Sequence, residues 1–87
     1  MAKELVTFDA LASITPDFAA KLANCASAYS ATVHLECGKT RLCVDSLISI
    51  LALALRRGMP VEITADGDDA ESAVHALSAL LTTKQDG

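Results

Sequence analysis

The sequence predicts an α+β fold, an open-faced β-sandwich in the order β-α-β-β-α-β-α, with a four-stranded antiparallel sheet carrying three helices on one face. Three observations lead there. Residues 31–36 and 61–65 alternate apolar and polar side chains at the period of a half-buried strand, and 4–8 and 40–44 read as two further short strands. Two longer stretches carry one apolar stripe each at helical spacing. The polar residues of the strands fall on a common outward side, so the second face of the sheet is wet. With 87 residues, the whole of 1–87 is expected to form a single domain.

Each element follows from local chemistry. Val6 and Phe8 share one face of the first strand. Thr15-Pro16 then opens a helix: a threonine to cap, a proline at the first helical position and Asp17 in the first turn, where the dipole favours an anion. Phe18, Leu22, Cys25, Ala26 and Tyr29 form its stripe, and it is expected to run to about Ala28. Val33 and Leu35 point inward on the second strand, Leu42 and Val44 on the third, with a turn at Cys37-Gly38-Lys39 making a hairpin. After Met59-Pro60 comes the fourth strand. Asp68 with Glu71 reads as a capping box for a last helix with Ala70, Ala73, Val74, Leu77, Leu80 and Leu81 on one side.

The middle of the chain is unusual. Between Ser46 and Arg56 every residue except Ser49 is apolar, and the spacing predicts one helix capped by Asp45 or Ser46 and stopped at Gly58. A surface helix on a small domain normally has a polar face. Either neighbours cover it all round or part of it is left for a partner.

Composition excludes several classes. Net charge is −4, and apart from Arg56-Arg57 the basic residues are scattered, so no nucleic-acid surface is expected. No apolar run reaches the roughly 20 residues of a membrane span, and the start lacks a signal-peptide core, which predicts a cytoplasmic protein with no membrane partner. Cys25, Cys37 and Cys43 have no metal-binding spacing and read as reduced thiols. A metal site built from two of them with His34 matches no usual ligand pattern, so no metal and no cofactor are expected. There is no paired nucleophile and base and no glycine-rich phosphate loop, so no enzyme is expected.

The element order, the length, Ala19-Ala20, Gly38-Lys39, Ser46-Leu47, Gly58, residues 61–63 and the acidic turn Ala65-Asp66-Gly67-Asp68-Asp69 together resemble the HPr family, the phosphocarrier proteins of the bacterial sugar phosphotransferase system. The resemblance covers essentially the whole chain. In that family a Gly-Leu-His-x-Arg-Pro motif before the first helix carries the phospho-acceptor histidine and a stabilising arginine. Here the stretch is Ser13-Ile14-Thr15-Pro16-Asp17-Phe18, with Thr15 at the acceptor-His position and Asp17 at the Arg position. An imidazole takes and releases phosphate near neutral pH, whereas a threonine ester is too stable for onward transfer. A carboxylate beside the acceptor disfavours phosphate further. His34 and His75 read as surface histidines.

The resemblance also implies a regulatory serine at the start of the central helix, phosphorylated by HPr kinase, and Ser46 stands there. Its plain alternative is an N-cap, with Asp45 opposing an added phosphate. Loss of the histidine with retention of the serine is similar to the Crh branch, which acts through transcription regulators. By the same resemblance Thr15, Leu47, Ile48 and Leu51 are candidate partner contacts. The expected function is a regulatory or docking module without histidine phosphotransfer. The alternatives are a phosphocarrier with an unusual acceptor and a homodimer formed through the apolar helix.

Overall fold

Val61, Ile63 and Ala65 alternate along one strand and are all fully buried, because that strand lies inside the sheet with a neighbour on each side. The computed structural model describes residues 1–44 and 47–84, with Leu47 by its backbone alone. The elements are β1 (Ala2–Thr7), α1 (Pro16–Ser27), β2 (Thr32–Cys37), β3 (Thr40–Cys43), α2 (Leu47–Ala52), β4 (Pro60–Asp66) and α3 (Ala70–Thr82). The sheet order is β1-β4-β2-β3 and every pairing is antiparallel. α3 packs on β1, β4 and β2, α2 on β3, and α1 against both other helices. The predicted α+β open-faced sandwich is the observed one.

The core lies between the inner sheet face and the helices. Phe8, Leu22, Leu35, Ile50, Leu55, Ile63, Leu77 and Leu81 are its largest fully buried side chains. Phe8 follows β1 instead of ending it, and its ring meets Phe18 of α1 edge to face with centroids 5.8 Å apart. This pair joins the chain leaving β1 to the first helix, just before the loop that carries the candidate site.

Three expectations change. The central helix is six residues long and stops at Ala52, where the sequence predicts a run to Gly58. Its stop is Ala54, which takes the left-handed φ of 51°, a conformation that costs an alanine about 1–2 kcal/mol. Long-range contacts override the local helix preference: Leu55 turns fully into the core and its carbonyl accepts the Ile14 N–H at 2.9 Å. Gly58 instead serves the turn closed by the Met59 N–H on the Arg56 carbonyl, where its φ of 95° suits glycine.

The capping box of Asp68 and Glu71 is replaced by Asp69 at the N-cap of α3, with no side-chain cap bond. The Asp69 carboxylate is engaged elsewhere, accepting from the Ser30 and Ala31 N–H groups at 2.9 Å each and from the Ser30 hydroxyl at 3.2 Å. On α1, Ala19 joins Phe18, Leu22 and Ala26 in the core while Cys25 is only half-buried, and Tyr29, beyond the helix end, sits half-buried at the margin.

Candidate functional site

Thr15 is the N-cap of α1. Its backbone is extended, with φ −117° and ψ 161°, and its hydroxyl oxygen accepts the Phe18 N–H at 3.2 Å. Pro16 holds the first helical position and Asp17 the exposed first turn, as the sequence predicts. The helix starts here because threonine, proline and an acid satisfy one free amide, pre-set φ and complement the dipole.

The loop leading to Thr15 is laced to the segment after α2. The Ile14 N–H reaches the Leu55 carbonyl, the Arg57 N–H reaches the Ala12 carbonyl at 3.0 Å, and the Gly58 N–H reaches the Phe8 carbonyl at 2.8 Å. Ser13 and Arg56 form a bridge of antiparallel type. The Asp9 and Ala10 N–H groups both reach the Leu81 carbonyl near the end of α3. The geometry of Thr15 is therefore fixed by three parts of the chain at once.

Charge around the loop comes from Asp17 on the helix and from the two arginines. Arg57 places Nε 3.2 Å from the Asp9 carboxylate in a half-exposed pair, which screening makes worth little. Arg56 is exposed. The spacing predicts both arginines at a helix end, whereas the chain places them beside the Thr15 loop, and Gly58, a turn signal, follows them directly.

The candidate docking residues separate. Ile48 is 80 % exposed, one of three large apolar side chains in the open among the described residues, while its helix neighbour Ile50 is fully buried and Leu51 is half-buried. The apolar stretch is thus neither enclosed nor bare: Ile50, Leu53 and Leu55 fill the core and Ile48 stands out of it. Thr15 is exposed as well, on the helix that packs against α2. Ser46, Asp45 and the Leu47 side chain lie outside the described residues.

Neither histidine stands in this loop. His34 is on β2, and His75 is exposed on α3, beside a groove of about 540 Å³ between that helix and β1 that none of the loop residues lines. Among the described residues no group of three or more His, Cys, Asp or Glu is placed to hold a metal ion, and no helix is long and apolar enough to cross a membrane. Chemically, the loop presents a capping hydroxyl with a carboxylate two residues on.

Comparison with known proteins places this geometry. The phosphocarrier protein HPr of Haemophilus influenzae is 35 % identical over 65 residues, covering 75 % of this chain and 76 % of that protein. The PEP-dependent dihydroxyacetone kinase phosphoryl donor subunit DhaM of Providencia stuartii is 36 % identical over 62 residues, covering 71 % of this chain but only 13 % of that much longer protein. The crystal structure of a phosphocarrier protein HPr from Bacillus anthracis superposes with a TM-score of 0.87 at 26 % identity, covering 92 % of this chain and 95 % of that one. Crh of Bacillus subtilis shares the fold, with a TM-score of 0.77 at 22 % identity over the full length of both chains. Residues 13–83 match the sequence profile described as the PTS HPr component phosphorylation site, and the chain belongs to the HPr family of the phosphotransferase system.

Proposed function

We propose that this chain is a single HPr-type domain that works as a cytoplasmic docking or regulatory module, without enzymatic activity and without phosphotransfer through histidine. The observation that carries this reading is Thr15: a capping hydroxyl, bonded to the Phe18 N–H, stands where the family holds its acceptor imidazole, and Asp17 stands where it holds a cation. A phosphate ester on that hydroxyl would be too stable to pass phosphate on. Ile48 is the exposed apolar anchor through which a partner would dock, with Leu51 half-buried on the same helix and Thr15 exposed at the start of α1.

By the family resemblance the partners are HPr kinase or a transcription regulator, with Ser46 the modified residue. Phosphate transfer from phosphoenolpyruvate through enzyme I tests the first part, and an acid-labile label on this chain rejects it. Incubation with HPr kinase and ATP, followed by peptide mass spectrometry, tests the second. Phosphate on Ser46 supports regulation, and an unmodified Ser46 leaves docking alone.

A further inference from the structure

β1 is a terminal strand of the sheet, and the direction of its backbone groups follows from one neighbouring residue. The Phe8 N–H donates to the Met59 carbonyl and the Phe8 carbonyl accepts the Gly58 N–H, so Phe8 turns both groups toward the β4 side. Direction alternates along a strand, which sends the groups of Ala2, Glu4 and Val6 the same way and those of Lys3, Leu5 and Thr7 out of the sheet. Pro60 agrees: it is the partner of Thr7 and has no N–H to offer, as suits a pair without ladder bonds. Among the described residues no backbone bond outside the sheet takes up these outward groups. Such an edge invites another strand, and Glu4 is the charge that screens what can join it. Glu4 shares the helix-side face with Ile63, and its carboxylate accepts the Ser78 hydroxyl while the residue stays exposed. With Glu71 and His75 it lines the groove of about 540 Å³ between β1 and α3. Lys3, at the rim of that groove, is turned to the open face, its ammonium 3.8 Å from Glu62. The groove therefore offers two carboxylates to whatever lies along the edge, and on the other face Leu5 is 67 % exposed.

We propose that the outer edge of β1 binds an extended segment of a partner protein as an added antiparallel strand, and that the segment carries an apolar residue followed directly by lysine or arginine. The apolar residue lies opposite Leu5 and exchanges ladder bonds with it. The next residue then lies opposite Glu4 in a pair without ladder bonds, where Cα atoms are only about 4.5 Å apart and side chains meet most closely. Its cation meets the Glu4 carboxylate with Glu71 across the groove. The outward N–H and C=O groups of Lys3, Leu5 and Thr7 supply affinity, and Glu4 supplies selectivity. A second copy of this chain is the poorer occupant. In any antiparallel register that keeps the two faces aligned, Glu4 meets Ala2, Glu4 or Val6 of the other β1 and never Lys3, which belongs to the opposite face.

The test titrates isotope-labelled protein with the peptide acetyl-Thr-Val-Ile-Arg-Thr-amide, and with the same peptide carrying Glu for Arg, and reads amide shifts and hydrogen exchange by NMR. Saturable shifts and slowed exchange at the Lys3, Leu5 and Thr7 amides are expected with the Arg peptide, and weaker binding of the Glu peptide. Glu4→Gln keeps an acceptor for Ser78 and should weaken the Arg peptide about two- to fivefold, the effect of one exposed ion pair. Leu5→Pro removes an outward N–H that the ladder to β4 does not use, and should abolish binding while the amide shifts of β2 and α1 show the fold kept. Equal binding of the two peptides, an unchanged affinity in Glu4→Gln, shifts confined to the Thr15 and Ile48 amides, or no saturable shift overturns the proposal. So does a dimer of the free protein in sedimentation that Leu5→Pro dissolves, since the edge would then belong to a second copy.

Discussion

The Asp69 carboxylate accepts the Ser30 N–H at 2.9 Å across 39 positions of sequence, tying the turn before α3 to the chain between α1 and β2. That backbone bond leads the causes holding the Asp69 carboxyl below the usual carboxylate range, aided by the Ala31 N–H and the Ser30 hydroxyl. A carboxyl depressed in the folded state stabilises it fully above the unfolded value of about 3.9 and loses that contribution as pH falls through the lower folded value. Asp69→Asn should therefore melt lower than the parent at neutral pH, with the gap narrowing below about pH 4. Ser30→Ala, which keeps both backbone donors, should have the smaller effect. Thermal unfolding across pH checks both, and a gap that persists undiminished in acid would count against the assignment.

Ile48 and Ile50 lie two residues apart on α2 with opposite environments, one 80 % exposed and the other fully buried. Ile50→Ala should cost about 2–5 kcal/mol, the usual range for truncating a core aliphatic. Ile48→Ser should stay within about 0.5 kcal/mol of the parent. Denaturant unfolding distinguishes them, and comparable losses for both would mean that Ile48 is packed.

Backbone handedness gives a third pair. Ala54 holds a φ of 51°, so Ala54→Gly should be neutral or stabilising by up to about 1 kcal/mol, relief of left-handed strain offsetting the added freedom of the unfolded chain. Gly67 has a φ of 152°, and a Cβ there would lie 2.7 Å from the Ala31 Cα and 3.0 Å from its Cβ. Gly67→Ala must push two backbone segments apart and should lower the melting temperature clearly. A stable Gly67→Ala protein would contradict the close approach.

Much of the fold is legible because its signals are local. Thr15-Pro16-Asp17 announces α1 by capping, fixed φ and dipole charge, and the strands announce themselves because only one face is buried. The end of α2 is not legible, since Ala52 to Leu55 are good helix formers and the force that turns them away is the burial of Leu55 and its bond to Ile14. Asp69 is likewise misread, because Glu71 nearby suggests a local box while its true partners are Ser30 and Ala31. At the site, the identities of Thr15 and Asp17 are plain in the sequence. Periodicity alone does not say which side chain of the apolar stretch stands exposed; the family resemblance names Ile48 with Leu47 and Leu51, and the structure exposes Ile48 while half-burying Leu51.

The Ser78 hydroxyl donates to a Glu4 carboxylate oxygen at 2.6 Å and fastens α3 to β1. Ser78→Ala should cost about 1 kcal/mol, because Glu4 is exposed and water can replace the lost donor. Hydrogen exchange of β1 amides should quicken in that variant, and unchanged protection would show that the bond does not hold the strand.

Whether Thr15 has replaced phosphotransfer is read by transfer of phosphate from phosphoenolpyruvate through enzyme I, run side by side on this chain, on its Thr15→His/Asp17→Arg variant and on an intact HPr. Acid-labile phosphate is expected on the intact HPr and on the double variant and none on the parent chain. Acid-labile phosphate on the parent would contradict it.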